Sequence, residues 1–205
     1  MLPNVEVGDI GPKFGYQGKD NGYGLFKNHR IPRLNMLMKF TKVSPTGEYT
    51  KTGDDKISYA TMLKIRSIIP EACCSAFSKA AVIVTRYSLV RSQFRDGKKN
   101  EVPILDYQLQ QEKVIPRIAE VYALLFGSHK LIEMGNEVIR DGENGIFTSL
   151  NETHAISSGL KAIFTNDSMS GMETLRRACG GHGFSHYSGI LHLLSETSPT
   201  VTYEG

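Results

Sequence analysis

Cysteine is scarce in this chain. Its 205 residues hold three, Cys73, Cys74 and Cys179. An odd number with two adjacent describes neither a disulfide framework nor a zinc site, so a reducing compartment is the natural reading. A charge of one sign is lacking too. Lys and Arg number 24 against 21 for Asp and Glu, a formal net charge of +3, and the basic residues are spread out. That excess gives no argument for a nucleic-acid partner. No apolar run reaches the roughly 18 residues that span a bilayer. Met1 to Lys13 carries Pro3, Glu6 and Asp9 and has no apolar core of the kind a secretion signal needs. It reads like the middle of a domain. No C-terminal targeting tripeptide, internal repeat or low-complexity tract is visible. What remains is 40% hydrophobic and 22% charged residues, the composition of an ordinary globular protein.

Two regions follow one another. Residues 1–52 are rich in Gly, Pro and Asn. Short apolar stretches (Val5-Glu6-Val7, Tyr23-Gly24-Leu25-Phe26, Met36-Leu37-Met38) alternate with turn signals such as Ser44-Pro45-Thr46-Gly47. These predict short strands belonging to a larger β unit. From about Ile57 the period becomes helical. Met62, Ile65, Ile69, Cys73, Ala76, Ala80, Val84 and Tyr87 recur at three- and four-residue steps, and Arg91 and Phe94 continue the stripe. Pro70 predicts a kink or break, and Arg95 to Pro103 a polar loop with Asp96-Gly97 and a lysine pair. A second helix is expected over 104–140, with Ile104, Gln111, Ile115, Ile118, Tyr122 and Leu125 on one face and a kink at Pro116. After a turn over 141–145, Ser149-Leu150-Asn151-Glu152 matches a capping box that opens a third helix. That helix runs through Leu160, Ile163, Met169, Met172 and Leu175 to a stop at Gly180-Gly181. A short helix near Ile190 to Leu194 and a turn at Pro199 close the chain. The fold class is mostly α: a partial β-domain over 1–52, then an antiparallel helical bundle over 53–205.

Few residues break these patterns. Arg91 stands where an apolar residue is expected. It is either a helix-end arginine reaching water or an anion contact, since a guanidinium forks onto phosphate oxygens. Gln108 and Gln111 pose the same choice between a wet helix start and a paired buried amide. Cys179-Gly180-Gly181-His182-Gly183 follows a helix rather than opening one. By pattern it is a helix C-cap and turn, not a strand–turn–helix phosphate motif. His182 and His186 have no further ligand set with metal spacing, so no metal is expected. Glu204 alone would be a solvated carboxylate.

Taken in order, the motifs say more. Val7-Gly8-Asp9-Ile10-Gly11-Pro12-Lys13-Phe14-Gly15, Asp20-Asn21-Gly22-Tyr23, Arg30-Ile31-Pro32-Arg33 and Asn35-Met36-Leu37-Met38 come first. Arg86-Tyr87-Ser88-Leu89-Val90-Arg91-Ser92-Gln93, Ile104-Leu105-Asp106-Tyr107-Gln108, and His154-Ala155 with Gly159-Leu160-Lys161-Ala162 follow. Cys179-Gly180-Gly181-His182-Gly183-Phe184-Ser185 and Tyr203-Glu204-Gly205 come last. Their collinear sum resembles the central part of the peroxisomal acyl-CoA oxidases, within the acyl-CoA dehydrogenase superfamily.

That resemblance implies an FAD-dependent enzyme. It would convert a fatty acyl-CoA to a trans-2-enoyl-CoA and return the electrons to molecular oxygen as peroxide, the first step of peroxisomal β-oxidation. Glu204 matches the base that takes the substrate's α-proton, and its backbone N–H would help polarise the thioester carbonyl. Arg91 matches the arginine that reaches FAD phosphates across a homodimer interface. Gln108 matches a flavin-contacting glutamine, with Gln111 as the other register. Gly180, Gly181 and Gly183 match the turn that lies against the nucleotide. Arg30 and Arg33 lie on the substrate side without an assigned role. The family's N-terminal helical domain, the strands before Val5 and the elements after Gly205 have no counterpart here, so a central fragment is expected. Two other readings stay open: an acyl-CoA dehydrogenase with a different electron acceptor, and a non-catalytic helical module that only pairs with full-length subunits.

Overall fold

A computed structural model describes residues 2–53, 55–95, 97 and 100–205. Asp96, Lys98 and Lys99 of the expected polar loop lie outside the described residues. Three long helices carry the fold: α1 (Asp55–Val90), α2 (Gln108–Glu143) and α3 (Leu150–Ala178). A short α4 (Ile190–Thr197) follows. The fold is thus mostly α. The turn between α2 and α3 is short, so those helices run antiparallel. The beginning of α1, the end of α2 and the beginning of α3 share a small apolar cluster of Ala60, Leu63, Val138 and Leu150. At the opposite end, Gln110 of α2 donates from one Nε2 to Ser88 Oγ of α1 (2.9 Å) and to the Ala178 carbonyl of α3 (3.0 Å). Between these ends lies the main core, with Phe77, Val84, Val114, Val121, Leu124, Phe164, Met172, Leu175 and Ile190. Burying each such side chain contributes about 1.5–3 kcal/mol.

The inward faces differ from the sequence reading by a rotation. On α2 the buried residues are Gln110, Val114, Val121, Leu124, Ser128, Leu131, Gly135 and Val138. Ile115 and Tyr122, expected inside, are more than half exposed. On α1, Ile69, Cys73, Ala80 and Val84 are buried as expected, whereas Met62 and Ile65 are exposed. On α3, Met172 and Leu175 are buried but Ile163 faces out. The inward α3 positions include Thr153, Ser157, Thr165 and Ser168. Small hydroxyl residues can go there because some bond back to their own helix: Ser157 to the His154 carbonyl and Thr165 to the Lys161 carbonyl. That removes the desolvation cost an apolarity count assumes.

Neither Pro70 nor Pro116 breaks its helix. Each removes one N–H donor, while the flanking bonds and tertiary packing persist. Pro70 is fully buried. The segment Tyr59–Val90 is, by length and composition, apolar enough to cross a membrane, with a mean hydropathy of 1.4. In this fold it is the helix that packs against both α2 and α3.

The capping box fails. Ser149 has helical dihedrals (φ −83°, ψ −7°) and makes no side-chain cap bond. Its backbone carbonyl already accepts the Thr153 N–H, and its buried Oγ has no partner. The α1 stripe also stops sooner than expected. The helix ends at Val90, and Phe94 sits at φ 61° in a bulged hairpin of β5 (Ser92–Arg95) and β6 (Glu101–Pro103). This hairpin stands where a loop is predicted.

In the first region, β1 (Val5–Asp9) pairs with β2 (Gly22–Phe26). β3 (Thr41–Val43) pairs with β4 (Tyr49–Lys51) across the expected Ser44–Gly47 turn. These are two separate antiparallel ladders among the described residues. Met36-Leu37-Met38 forms no strand; a 3-10 turn at Arg33–Asn35 precedes it. The loop between β1 and β2 docks on the bundle: the Tyr16 N–H donates to Glu196 Oε1 (2.8 Å) at the end of α4.

Candidate active site

The last residues of the chain lie against the first halves of α1 and α3. A 3-10 turn, Ser198–Val201, brings the chain back over the bundle after α4. Thr200 Oγ1 lies 3.2 Å from Cys73 Sγ on α1. Burial pushes the Cys73 thiol up, so it stays protonated and is no nucleophile. Two cations then grip the backbone. Lys161 Nζ donates to the Tyr203 carbonyl at 2.6 Å. Arg66 donates to the Glu204 carbonyl through Nε (3.0 Å) and Nη2 (2.7 Å), and through Nη1 to Ser158 Oγ (3.1 Å). The Tyr203 hydroxyl lies 3.0 Å from that of Tyr16, which ties the β1–β2 loop to the same spot. Burial, then the bond to Tyr16, pushes the Tyr203 phenol up.

This places Glu204 at φ 63°. The left-handed region costs a non-glycine residue about 1 kcal/mol or more. The Glu204 carboxylate makes no hydrogen bond or ion pair among the described residues. Beside it runs an open groove of about 1050 Å³. Ile65, Ile68, Ile69 and Ala72 of α1 and Val121 and Leu125 of α2 form its apolar wall. The outward-turned Ile65, wrong as a core residue, is a groove residue.

The other expected site residues gather at the far end of the bundle. Arg91 is exposed just past α1; its N–H bonds the Tyr87 carbonyl, and its own carbonyl accepts the Ile104 N–H. Gln108 is the exposed first residue of α2 and donates to Glu112 Oε1 (3.1 Å). Gln111 turns back to the Leu105 carbonyl. The inward amide is neither of these but Gln110, which sequence reasoning passed over. Gly180, at φ 57°, ends α3 in the left-handed conformation glycine favours. Gly181 is exposed. Gly183 is buried, and a Cβ there would stand 1.9 Å from the Arg176 carbonyl. The turn meets α1 through Tyr87, whose hydroxyl lies 3.0 Å from His182 Nδ1. Arg91 and the glycine turn are therefore neighbours.

Glu204 is not near them. Arg66, which holds Glu204, and Val90, which precedes Arg91, stand 24 residues apart on α1, about 36 Å at 1.5 Å per residue. Lys161 and Arg66 were not singled out from sequence. Lys161 gave a signal: it falls at a core step of α3, between Ser157 and Phe164, where a lysine is out of place. Arg66 gave none, because a half-buried arginine on a long helix is common.

An all-α bundle with these hairpins, this closing turn and this ordered motif set defines a class, and the matches identify it. Residues 59–205 match the model of the acyl-CoA oxidase C-alpha1 domain. The chain belongs to the acyl-CoA oxidase family. It is 44% identical over 206 aligned residues to peroxisomal acyl-coenzyme A oxidase 1 of Phascolarctos cinereus, and equally to that of Homo sapiens. All of this chain is covered, and 31% of either relative; the chain thus spans about a third of their length. Among solved structures, acyl-CoA oxidase 1 of Arabidopsis thaliana superposes with a TM-score of 0.93 at 39% identity, over 100% of this chain and 32% of that one. Acyl-CoA oxidase-2 of Caenorhabditis elegans, bound with FAD, ascaroside-CoA and ATP, gives 0.91 at 39%, over 100% and 31%.

Proposed function

We propose that this chain is the catalytic-base segment of a peroxisomal, FAD-dependent acyl-CoA oxidase that acts on fatty acyl-CoA with molecular oxygen. The observation that carries the reading is Glu204: an unpaired carboxylate, held on a clamped backbone at the rim of an apolar groove. An acyl chain fits along Ile65, Ile68, Ile69, Val121 and Leu125. The carboxylate then takes the α-proton of the thioester. An α-proton is acidic enough to leave only when the carbonyl oxygen is hydrogen-bonded, because charge moves onto that oxygen in the transition state. The Glu204 N–H supplies one such bond.

FAD, when bound, supplies the acceptor for the β-hydride and the route of electrons to oxygen. The residues at the far end suit its phosphates. The Arg91 guanidinium has no partner among the described residues, and the Gly180-Gly181 backbone is open to an approaching anion. About 36 Å of α1 separates Arg66, which holds Glu204, from Val90, which precedes Arg91, a length that argues against one dinucleotide meeting both. The reading therefore assigns the two ends of one chain to two different flavins in a homodimer, with Arg91 and Gln108 serving the partner subunit. The domain limits, 1–52 for the end of the β-domain and 53–205 for the helical domain, belong to the same proposal.

The test is acyl-CoA-dependent peroxide formation by a full-length family oxidase carrying this segment. Glu204→Gln keeps the shape and removes the base, so turnover should fall by at least about a hundredfold. An unchanged rate would show that Glu204 is not the base.

A further inference from the structure

We propose that Lys161 and Arg66 are positioning residues that lock the two peptide groups flanking Glu204, and so aim its N–H and carboxylate at the substrate. The inference rests on the reading of Glu204 as base. Its geometry is independent of that reading.

A peptide unit is planar and, with no cis bond among the described residues, carries its N–H opposite its C=O. Lys161 holds the Tyr203 oxygen. The Glu204 N–H, at the other end of that plane, must point away from Lys161. Lys161 is buried with 1% of its surface exposed and does not line the groove, whereas Tyr203 and Glu204 do. Arg66 holds the next carbonyl, that of Glu204, with two donors. Three rotations are thereby fixed: the plane before Glu204, the plane after it, and the left-handed turn between them. An ammonium drawn onto the Tyr203 oxygen also polarises that peptide, which makes the opposite N–H a better donor.

The arrangement is more than a turn needs. The carbonyls of an exposed turn are satisfied by water at little cost. Here a lysine is buried with, among the described residues, a backbone oxygen as its one hydrogen-bond acceptor and no carboxylate salt bridge. Burial and the neighbouring Arg66 both push its ammonium below its usual range. Keeping a charge there costs stability, a pattern more usual in sites than in scaffolds.

Lys161→Met, Lys161→Arg and Arg66→Gln, made in the full-length oxidase carrying this segment, test the proposal alongside Glu204→Gln. Three quantities decide it: kcat and KM; binding of acetoacetyl-CoA, which enters as an enolate mimic; and binding of an alkyl-CoA thioether, which has no carbonyl to polarise. Lys161→Met should lower kcat about ten- to a hundredfold with little change in KM. Its acetoacetyl-CoA affinity should fall in step while thioether affinity, flavin content and Tm hold. Lys161→Arg, which keeps the charge, should restore most of the loss. In the cofactor-free 205-residue chain, the amide resonance of Glu204 should shift and broaden in Lys161→Met. The proposal is overturned if kcat stays within about twofold of the parent, or if both ligands weaken together as Tm falls, which is scaffold behaviour. Should Lys161→Met not fold, Arg66→Gln, at the more accessible partner, carries the same decision. If Glu204→Gln is fully active, the base assignment fails instead, and the amide shift then reports the clamp alone.

Discussion

Glu173 shows how single residues shape the glycine-turn end of the bundle. Its carboxylate accepts from Arg176 Nε (2.6 Å) and Nη2 (2.7 Å) and from Arg177 Nε (2.7 Å). The two Arg176 bonds, and then the one from Arg177, hold it down to about 2 from an ordinary 4.5. Arg176 reaches on to the Gly183 carbonyl at 3.4 Å, so the fork steadies the glycine turn. The folded state favours the charged carboxylate, so the pair's contribution is complete above pH 4.5 and disappears as pH falls toward 2. Glu173→Gln should therefore be less stable than the parent at pH 6, and the two stabilities should converge as pH drops through that window. Urea midpoints measured from pH 6 to pH 2 check this. Parallel curves would mean the pair contributes nothing.

At the scale of elements, helix contacts are set by close fits as much as by apolar area. Gly171 of α3 receives the Phe77 ring of α1, and a Cβ there would stand 2.2 Å from Phe77 Cζ. Phe77 is fully buried and has no room to swing aside. Gly171→Ala gains up to about 1 kcal/mol of helix propensity, but overpacking costs about 1–3 kcal/mol, so a net loss is expected. Gly159→Ala on the same helix meets open space and should stabilise by up to about 1 kcal/mol. Denaturant midpoints of the two variants, read side by side, separate fit from propensity. Such fits also explain what was legible. Periodicity placed α1, α2, α3 and α4, with α2 starting at Gln108 rather than Ile104, and turn signals placed the Gly180 stop and the β3–β4 turn. It misjudged faces, because apolar residues were counted as inward. Ile115, Tyr122 and Ile163 face out, while Gln110, Ser128, Thr153 and Ser157 face in on paired or short polar groups. Glu204 and the glycine turn, the proposed base and the proposed cofactor contact, were singled out through their motifs. Lys161 and Arg66 were not, because their role depends on the chain's return across α1 and α3 through the Ser198–Val201 turn, which no local pattern encodes.

At the scale of the whole molecule, the separation of Glu204 from Arg91 along α1 is the constraint with the most consequence. Both belong to one chain, and about 36 Å of α1 separates Arg66, which holds Glu204, from Val90, which precedes Arg91. If a flavin met both, it would have to bridge that span. If, as proposed, the full-length protein is a homodimer, and its two-fold axis sets the chains antiparallel, each flavin instead takes its base from one subunit and its phosphate contact from the other. The alternatives differ in a mixing experiment. One full-length chain carries Arg91→Ala, the other Glu204→Gln, and each homodimer should be weak or inactive at limiting FAD. Random exchange makes half the dimers hybrid. In the shared arrangement, each hybrid has one site with an intact Glu204 from the first chain and an intact Arg91 from the second. Its other site has neither. Peroxide formation should therefore recover to about a quarter of the unmutated level. In a self-contained arrangement no site regains both residues, and mixing recovers nothing. Titrating one chain against the other at fixed FAD distinguishes the two, since only shared sites give a maximum near equal proportions.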